Sequence, residues 1–444
     1  MKRVLFVSYY FPPIGGIGTE RPLAFARLLP EFGWEPVVLT PSESTIRVLS
    51  AGKGMEIPEG LQVRRTPNPD IVFKLKKLGG YDLAKNVEEE LFGGLIRDAE
   101  QRGARMRLVR FFKNWSSFPD RTIDWYPFLV REGMRLLRTG RFDAIYTISP
   151  PYTAAVAGAH LSRRTGVPWV CDMADLWTHC FNYMRTGPAV KVDEWLERRT
   201  LKQAGRIIVL AERAQEVFDS PSDRLSDRVV IVPHGYDDRS FASVEAVSQD
   251  ALTLVYAGQI SYPFQDPGPV LDALALLRER GEDLSRFRFV YFGQSHDVVR
   301  RLAAQAGVSE LVEVMAQIPY EEAMARQKGA GALLYIQWEP AGEIGTYSKF
   351  AQYIGARRPI LALAPTPGAV DSVIAATGAG RVARGTQDVA AIISDWLAEY
   401  RRDGRLGYGV DESTARSFSY SGRAKVIARV LDEAATGRSK REGS

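Results

Sequence analysis

The stretch that most constrains this chain is 339–363, EPAGEIGTYSKFAQYIGARRPILAL. An apolar run of strand length, 332–336, precedes it, and a loop containing Pro340, Gly342 and Gly345 follows that run. Helical spacing begins near Thr346 or Ser348, and Pro359 opens a second apolar run, 360–363. Strand, glycine loop, helix and strand in this order make the βαβ unit of a doubly wound sheet, which binds ligands at the carboxyl ends of its strands. The first turn of the helix offers free backbone N–H groups and a partial positive charge, which suit a phosphate. Gly345, Thr346, Tyr347 and Ser348 form the entry to that helix, with hydroxyl donors on Thr346 and Ser348. Lys349 adds a formal charge. Gln352, three residues on, shares its helical face and is placed to reach a sugar hydroxyl beside the phosphate. The stretch reads as a diphosphate–ribose site. The competing reading is an ordinary crossover with a capping Ser348 and a surface Lys349. Glu343, in the loop, either holds sugar hydroxyls or is solvated.

A chain of 444 residues fits two or three domains. Apolar content of 45% and charged content of 25% are those of a globular protein, and the apolar runs are too short to span a bilayer. Residues 4–10 form a short strand running into a Pro-Pro turn, unlike a signal peptide. Cys171 and Cys180 form no CxxC pattern, which argues for a reducing, cytoplasmic setting and no metal site. The net charge of +5 is spread along the chain with no nucleic-acid signature. It points to an anionic substrate or an anionic membrane surface. Within 71–118, Met106, Val109 and Phe112 interleave with Arg107, Arg110 and Lys113. Such a basic amphipathic helix either covers its own domain or lies peripherally on the inner face of a membrane.

The first strand, 4–8, leads into a loop with Gly15 and Gly16, then a helix over 21–32 that Gly33 stops. The loop does not match GxGxxG, so no nicotinamide or flavin cofactor is expected. A strand over 142–147 ends in Ser149-Pro150-Pro151-Tyr152, and one over 169–172 ends in Asp172-Met173-Ala174-Asp175-Leu176-Trp177. Asp172 and Asp175, at a strand end, face a cleft and orient or deprotonate an acceptor hydroxyl, or else cap the next helix. Strands over 206–210 and 229–232 complete a first sheet. A polar linker, 240–250, precedes a second sheet that opens with a strand over 252–257 ending in Gly258-Gln259. Further strands are expected over 287–292 and 312–315, the latter turning through Ile318 into a helix. Helices over 389–401 and 423–431 follow, and 436–444 reads as a polar tail without regular structure.

GTYSKFAQYIGARRPIL resembles the donor-binding segment of retaining GT-B glycosyltransferases, in particular the bacterial family 4-like group. Pro119-Asp120-Arg121, Trp125, Ser149-Pro150-Pro151, Asp172 to Trp177 and Pro233-His234-Gly235-Tyr236 resemble further elements of that group, in the same order. Three positions depart from its pattern. Gln352 stands where the group has Glu, Ala174 where it has Arg, and 258–266 lacks the Arg and Lys that neutralise the donor diphosphate. The resemblance implies an α/β, GT-B protein of two Rossmann-like doubly wound domains facing a cleft. Residues 1–236 would form the acceptor-side domain and 250–410 the nucleotide-sugar domain, with a C-terminal helix, about 415–434, packing back on the first. It implies donor contacts from Gly15, Gly16, Gly258, Gln259 and Ile318 beside Gly345, Thr346, Tyr347, Ser348 and Gln352. On the acceptor side it implies Asp120, Trp125, Tyr152, Asp172 and Trp177, and catalytic roles for Asp175, Lys349 and Glu343. No metal or cofactor is expected, because the nucleotide diphosphate sugar is itself a substrate. The acceptor would be a glycan, a lipid-linked glycan or a small molecule. Two alternatives stand beside transfer. One is a non-catalytic GT-B-like partner subunit, which the three departures would suit. The other is a nucleotide-sugar 2-epimerase, which four scattered histidines make a poor fit.

Overall fold

The computed structural model describes residues 1–14, 17–42, 56–69, 71, 115, 118–180, 183, 185, 186–219, 224–247, 249–337 and 348–442. The chain divides into two compact units. One takes the N-terminal residues through Val232 together with the chain from Ala424 onward, and the other runs from Pro233 to Arg423.

The first unit is built on a seven-stranded parallel sheet: β1 Lys2–Val7, β2 Trp34–Pro41, β3 Gln62–Thr66, β4 Ala144–Ser149, β5 Trp169–Met173, β6 Arg206–Val209 and β7 Val229–Ile231. Its spatial order is β3-β2-β1-β4-β5-β6-β7. Val4, Leu5, Phe6 and Val7 are all fully buried. A strand covered on both faces therefore reads as a continuous apolar run and was legible as such. β3 was not expected. Its residues, QVRRT, alternate between exposed and half-buried at the sheet edge, so the sequence carries no apolar run there. The helix Ile17–Leu28 tightens into a 3-10 turn, Leu29–Phe32, which Gly33 closes at φ 85°. In the helix Thr153–Thr165, Gly158 lets the backbone lie against the sheet. A Cβ there would stand 2.5 Å from the Trp169 indole nitrogen. The last helix, Tyr420–Glu442, is longer than expected at both ends and takes in most of the polar tail. Within this unit its Asp432 accepts from Lys2 Nζ at 2.7 Å and from Trp34 Nε1 at 3.2 Å.

The second unit carries β8 Leu252–Ala257, β9 Phe287–Phe292, β10 Val312–Met315, β11 Ala332–Ile336, β12 Ile360–Leu363 and β13 Gly380–Ala383. All pair in parallel in the order β10-β9-β8-β11-β12-β13. Alternate residues feed two cores. Leu254, Tyr256, Phe289, Tyr291, Leu334 and Leu361 pack with the helices Gly268–Glu279 and Thr386–Asp403 on one face. On the other, Val255, Val290, Leu333 and Ala362 meet Phe350, Tyr353 and Ile354 of the helix Ser348–Ala356. Each such large side chain stabilises the unit by about 1.5–3 kcal/mol through burial. The expected linker at 240–250 begins instead inside a short helix, Asp238–Ser243. Asp237 caps it, accepting from the Arg239 amide at 3.0 Å, and Lys328 Nζ holds its end through the Phe241 and Val244 carbonyls. Polarity there reflects capping, not freedom.

Candidate functional site

Both sheets wind outward in two directions from a pair of central strands, β1 and β4 in the first unit and β8 and β11 in the second. Crossovers on either side of such a pair leave by opposite faces, so a crevice opens beyond the carboxyl ends.

In the second unit that crevice is framed by the turn after β8 and by the start of the helix Ser348–Ala356. Gly258 adopts φ 112°, a conformation that a side chain strains. The turn is held by two stacked tyrosines: Tyr256 donates to the Gln259 carbonyl at 3.0 Å and Tyr291 to the Gly258 carbonyl at 2.9 Å. The turn after β9 presses so close that a Cβ on Gly293 would lie 2.2 Å from the Gly258 oxygen. Lys349 reaches back to this frame. Its ammonium sits 3.8 Å from the centre of the Tyr256 ring and 3.4 Å from where a Gly258 Cβ would be. The aromatic face attracts the cation but does not neutralise it. No described carboxylate pairs with it, and burial pulls the amine down to about 7 from the usual lysine range. Lys349 is thus a half-buried cation with no described counterion, at a switch point beside a glycine turn. Ser348 and Gln352 are half-buried on the same helix, Gln259 is exposed on the turn, and Ile318 is half-buried after β10. Gly345, Thr346, Tyr347 and Glu343 lie outside the described residues, as do Gly15 and Gly16 of the first unit and nearly all of 71–118. The sequence reading missed Gln265, whose Nε2 donates to the Ile336 carbonyl at 3.0 Å and ties the β8 turn to the end of β11. A lone loop glutamine gives no signal of such a tie.

In the first unit the residues expected on the acceptor side separate into two groups. Asp172 is wholly buried. Its carboxylate accepts from Arg21 Nε at 2.9 Å and Arg21 Nη2 at 3.2 Å, and from the Tyr146 phenol, while Arg21 Nη2 also donates to the Val232 carbonyl at 3.1 Å. It ties helix and strands of the sheet together. Trp125 is likewise wholly buried, its indole donating to Thr66 Oγ1 at 2.8 Å. In both, a polar group at a strand end or after a turn is spent inward, on a partner within the unit. Arg21 was read only as the start of a helix. Its single signal is a charge on the stripe it shares with Phe25 and Leu28, and it lies over the Phe25 ring at 4.8 Å.

The other group stays near the surface. Asp120 accepts from Thr122 and, at 2.9 Å, from the Thr153 amide, so it caps the helix that follows β4. Tyr152 is half-buried, donates to the Leu176 carbonyl at 2.7 Å, and stacks on Trp177 with ring centres 5.0 Å apart. Trp177 itself is buried and donates to Asp193, so it backs Tyr152 and does not reach outward. Asp175 is half-buried, no described residue hydrogen-bonds to it, and burial pushes its carboxyl up to about 6. Its charge contributes to raising the phenols of Tyr10 and Tyr152, after their burial. Behind this group Glu197, which the sequence reading passed over, is pushed up to about 7 by burial, with Thr178 donating to it.

A family model described as glycosyl transferase 4-like domain matches residues 15–235. No curated protein sequence matches the chain. Among solved structures, Anabaena HepE in complex with UDP and glucose superposes with a TM-score of 0.57 at 14% identity, over 97% of this chain and all of that one. A glycosyltransferase from Rickettsia africae gives 0.57 at 12% identity over 98% of each chain. The sucrose-phosphate synthase of Thermosynechococcus elongatus gives 0.51 at 13%, over 100% of this chain and 99% of its own. At such identities the likeness speaks for the fold, and that fold is GT-B. With residues 15–235 matched by the family model and both sheets of the GT-B type, the chain carries a glycosyl transferase 4-like domain within a GT-B fold.

Proposed function

We propose that the protein transfers a hexose-like sugar from a nucleotide diphosphate donor to an acceptor hydroxyl, with retention and without a metal. The observation that carries the donor half is Lys349, a cation with no described counterion at the switch point of the second unit. In transfer the bond between the anomeric carbon and the diphosphate oxygen breaks, and the electron pair leaves with the diphosphate. Lys349 and the N–H groups at the helix start stabilise that growing charge. The acceptor oxygen attacks from the face the diphosphate leaves, which preserves the anomeric configuration. Its proton passes to the departing phosphate or to Asp175, whose raised affinity for a proton suits a base. The UDP held in the HepE structure makes uridine nucleotides the first donors to try.

The test is release of nucleoside diphosphate from a panel of nucleotide sugars. Wild type should consume one of them and Lys349→Ala should not. Binding without consumption would favour the partner-subunit reading.

Two expectations on pH follow. An anion bound at Lys349 holds the proton on an amine that otherwise loses it near 7, so donor affinity should fall above pH 7. The limit is about tenfold per pH unit, and calorimetry in buffers of different ionisation heat should register proton uptake on binding. A pH-independent affinity between 7 and 9 would remove Lys349 from the phosphate. For Asp175, the carboxylate form grows as pH rises through about 6, so turnover should rise over that window. Asp175→Asn should flatten the rise and lower turnover by about 10²–10⁴-fold if it is the base. The same substitution should slightly stabilise the fold. A carboxyl whose folded affinity for protons is raised loses stability as pH rises from the ordinary aspartate range to about 6.

A further inference from the structure

The helix Pro188–Leu201 of the first unit has a divided character that the transfer reading does not use. Its inward face carries the buried acids Asp193 and Glu197 toward Trp177 and Thr178. At 3.6 residues per turn, Lys191, Val192, Trp195, Arg198, Arg199 and, just past its end, Lys202 fall on the opposite face. All six are exposed. Trp195 is 59% exposed and Val192 41%, an unusual exposure for a large indole. Arg199 lies over the indole at 5.4 Å. Every exposed charge on this helix is cationic, because its remaining acid, Glu194, is half-buried at the flank.

We infer that this face docks the protein on an anionic lipid surface. An indole ringed by Lys and Arg on a convex helix matches a bilayer interface, where tryptophan sits at headgroup depth and cations meet anionic lipid. A nucleic acid would be met by a concave or grooved basic surface with polar readout groups, and a protein partner by a larger apolar patch. Neither fits a single indole and valine among four cations. The surface is independent of the donor site, so it is measured without nucleotide, and its failure leaves the transfer reading untouched.

The experiment is co-sedimentation of the full chain with vesicles of phosphatidylglycerol in phosphatidylcholine, beside pure phosphatidylcholine. Wild type should bind the anionic vesicles only, and less as salt rises. Arg198→Glu with Arg199→Glu should weaken binding by at least about fivefold per cation removed. Trp195→Ser should weaken it severalfold while leaving the salt dependence, and all variants should keep the wild-type Tm because the replaced side chains are exposed. Equal binding to neutral vesicles, binding unchanged in both variants, or no binding to either vesicle would overturn the inference. So would tighter capture by a polynucleotide through the same residues.

Discussion

Replacing Lys349 by Met should raise the melting temperature of the free protein and weaken its response to nucleoside diphosphate. Both effects come from one placement. Without a ligand, the ammonium is held over the Tyr256 ring with no described acid beside it, and burial draws its pKa down to about 7. A lysine shifted this way opposes folding below pH 7. The unfolded chain keeps its proton up to the ordinary lysine range, so stability rises with pH between those limits. Met fills the same stem volume without the charge, and relieving a half-buried cation with no described partner returns about 1 kcal/mol. That corresponds to about 2–4 °C per kcal/mol in a chain of this size. With donor present the sign reverses. A charge-assisted contact to phosphate contributes about 1.5–3 kcal/mol, so the variant should bind ten- to a hundredfold more weakly. Differential scanning fluorimetry with and without nucleotide reads both. A variant less stable than wild type when free would mean that Lys349 serves the fold, the ordinary-crossover reading.

The second large effect concerns the first unit. Asp172→Leu should destabilise it by about 3–5 kcal/mol, because it takes the carboxylate away from the Arg21 guanidinium, which is 2% exposed. Tyr146 and the Val232 carbonyl share that network and would be left part-satisfied. Arg21→Met should cost about as much by stranding the carboxylate. The double replacement Arg21→Met with Asp172→Leu should recover much of the loss, since an apolar pair of similar volume needs no counterion. Denaturant midpoints for the four proteins close the cycle. Additive losses would show that the two side chains act separately. The measurement also decides what Asp172 is for. A residue that served the acceptor would lose turnover in Asp172→Asn while stability held.

The parallel strands were the most legible part of the chain, because burial on both faces writes each as a plain apolar run, as in VLFV and ALLYI. β3 was invisible for the complementary reason, lying at an edge with alternating polar residues. Lys349 stood out because one charge follows a glycine loop at a helix start, a local pattern. For Asp172 at a strand end and Trp125 in a 3-10 turn, the sequence does not show which way the side chain is spent. Arg21 and Asp172 are 151 residues apart, and only the sheet's winding brings them together. Asp175 and Asp172 look alike in sequence. Three residues of chain separate a carboxylate held by Arg21 and Tyr146 from one to which no described residue hydrogen-bonds.

The most direct test of the central claim is hydrogen exchange on the intact chain, alone and with each of a panel of nucleoside diphosphates. One nucleotide should slow exchange in the turn after β8, 258–265, and in the first turn of the helix Ser348–Ala356, with the effect lost in Lys349→Met. Protection confined to other segments, or none with any nucleotide, would contradict a donor site at Lys349.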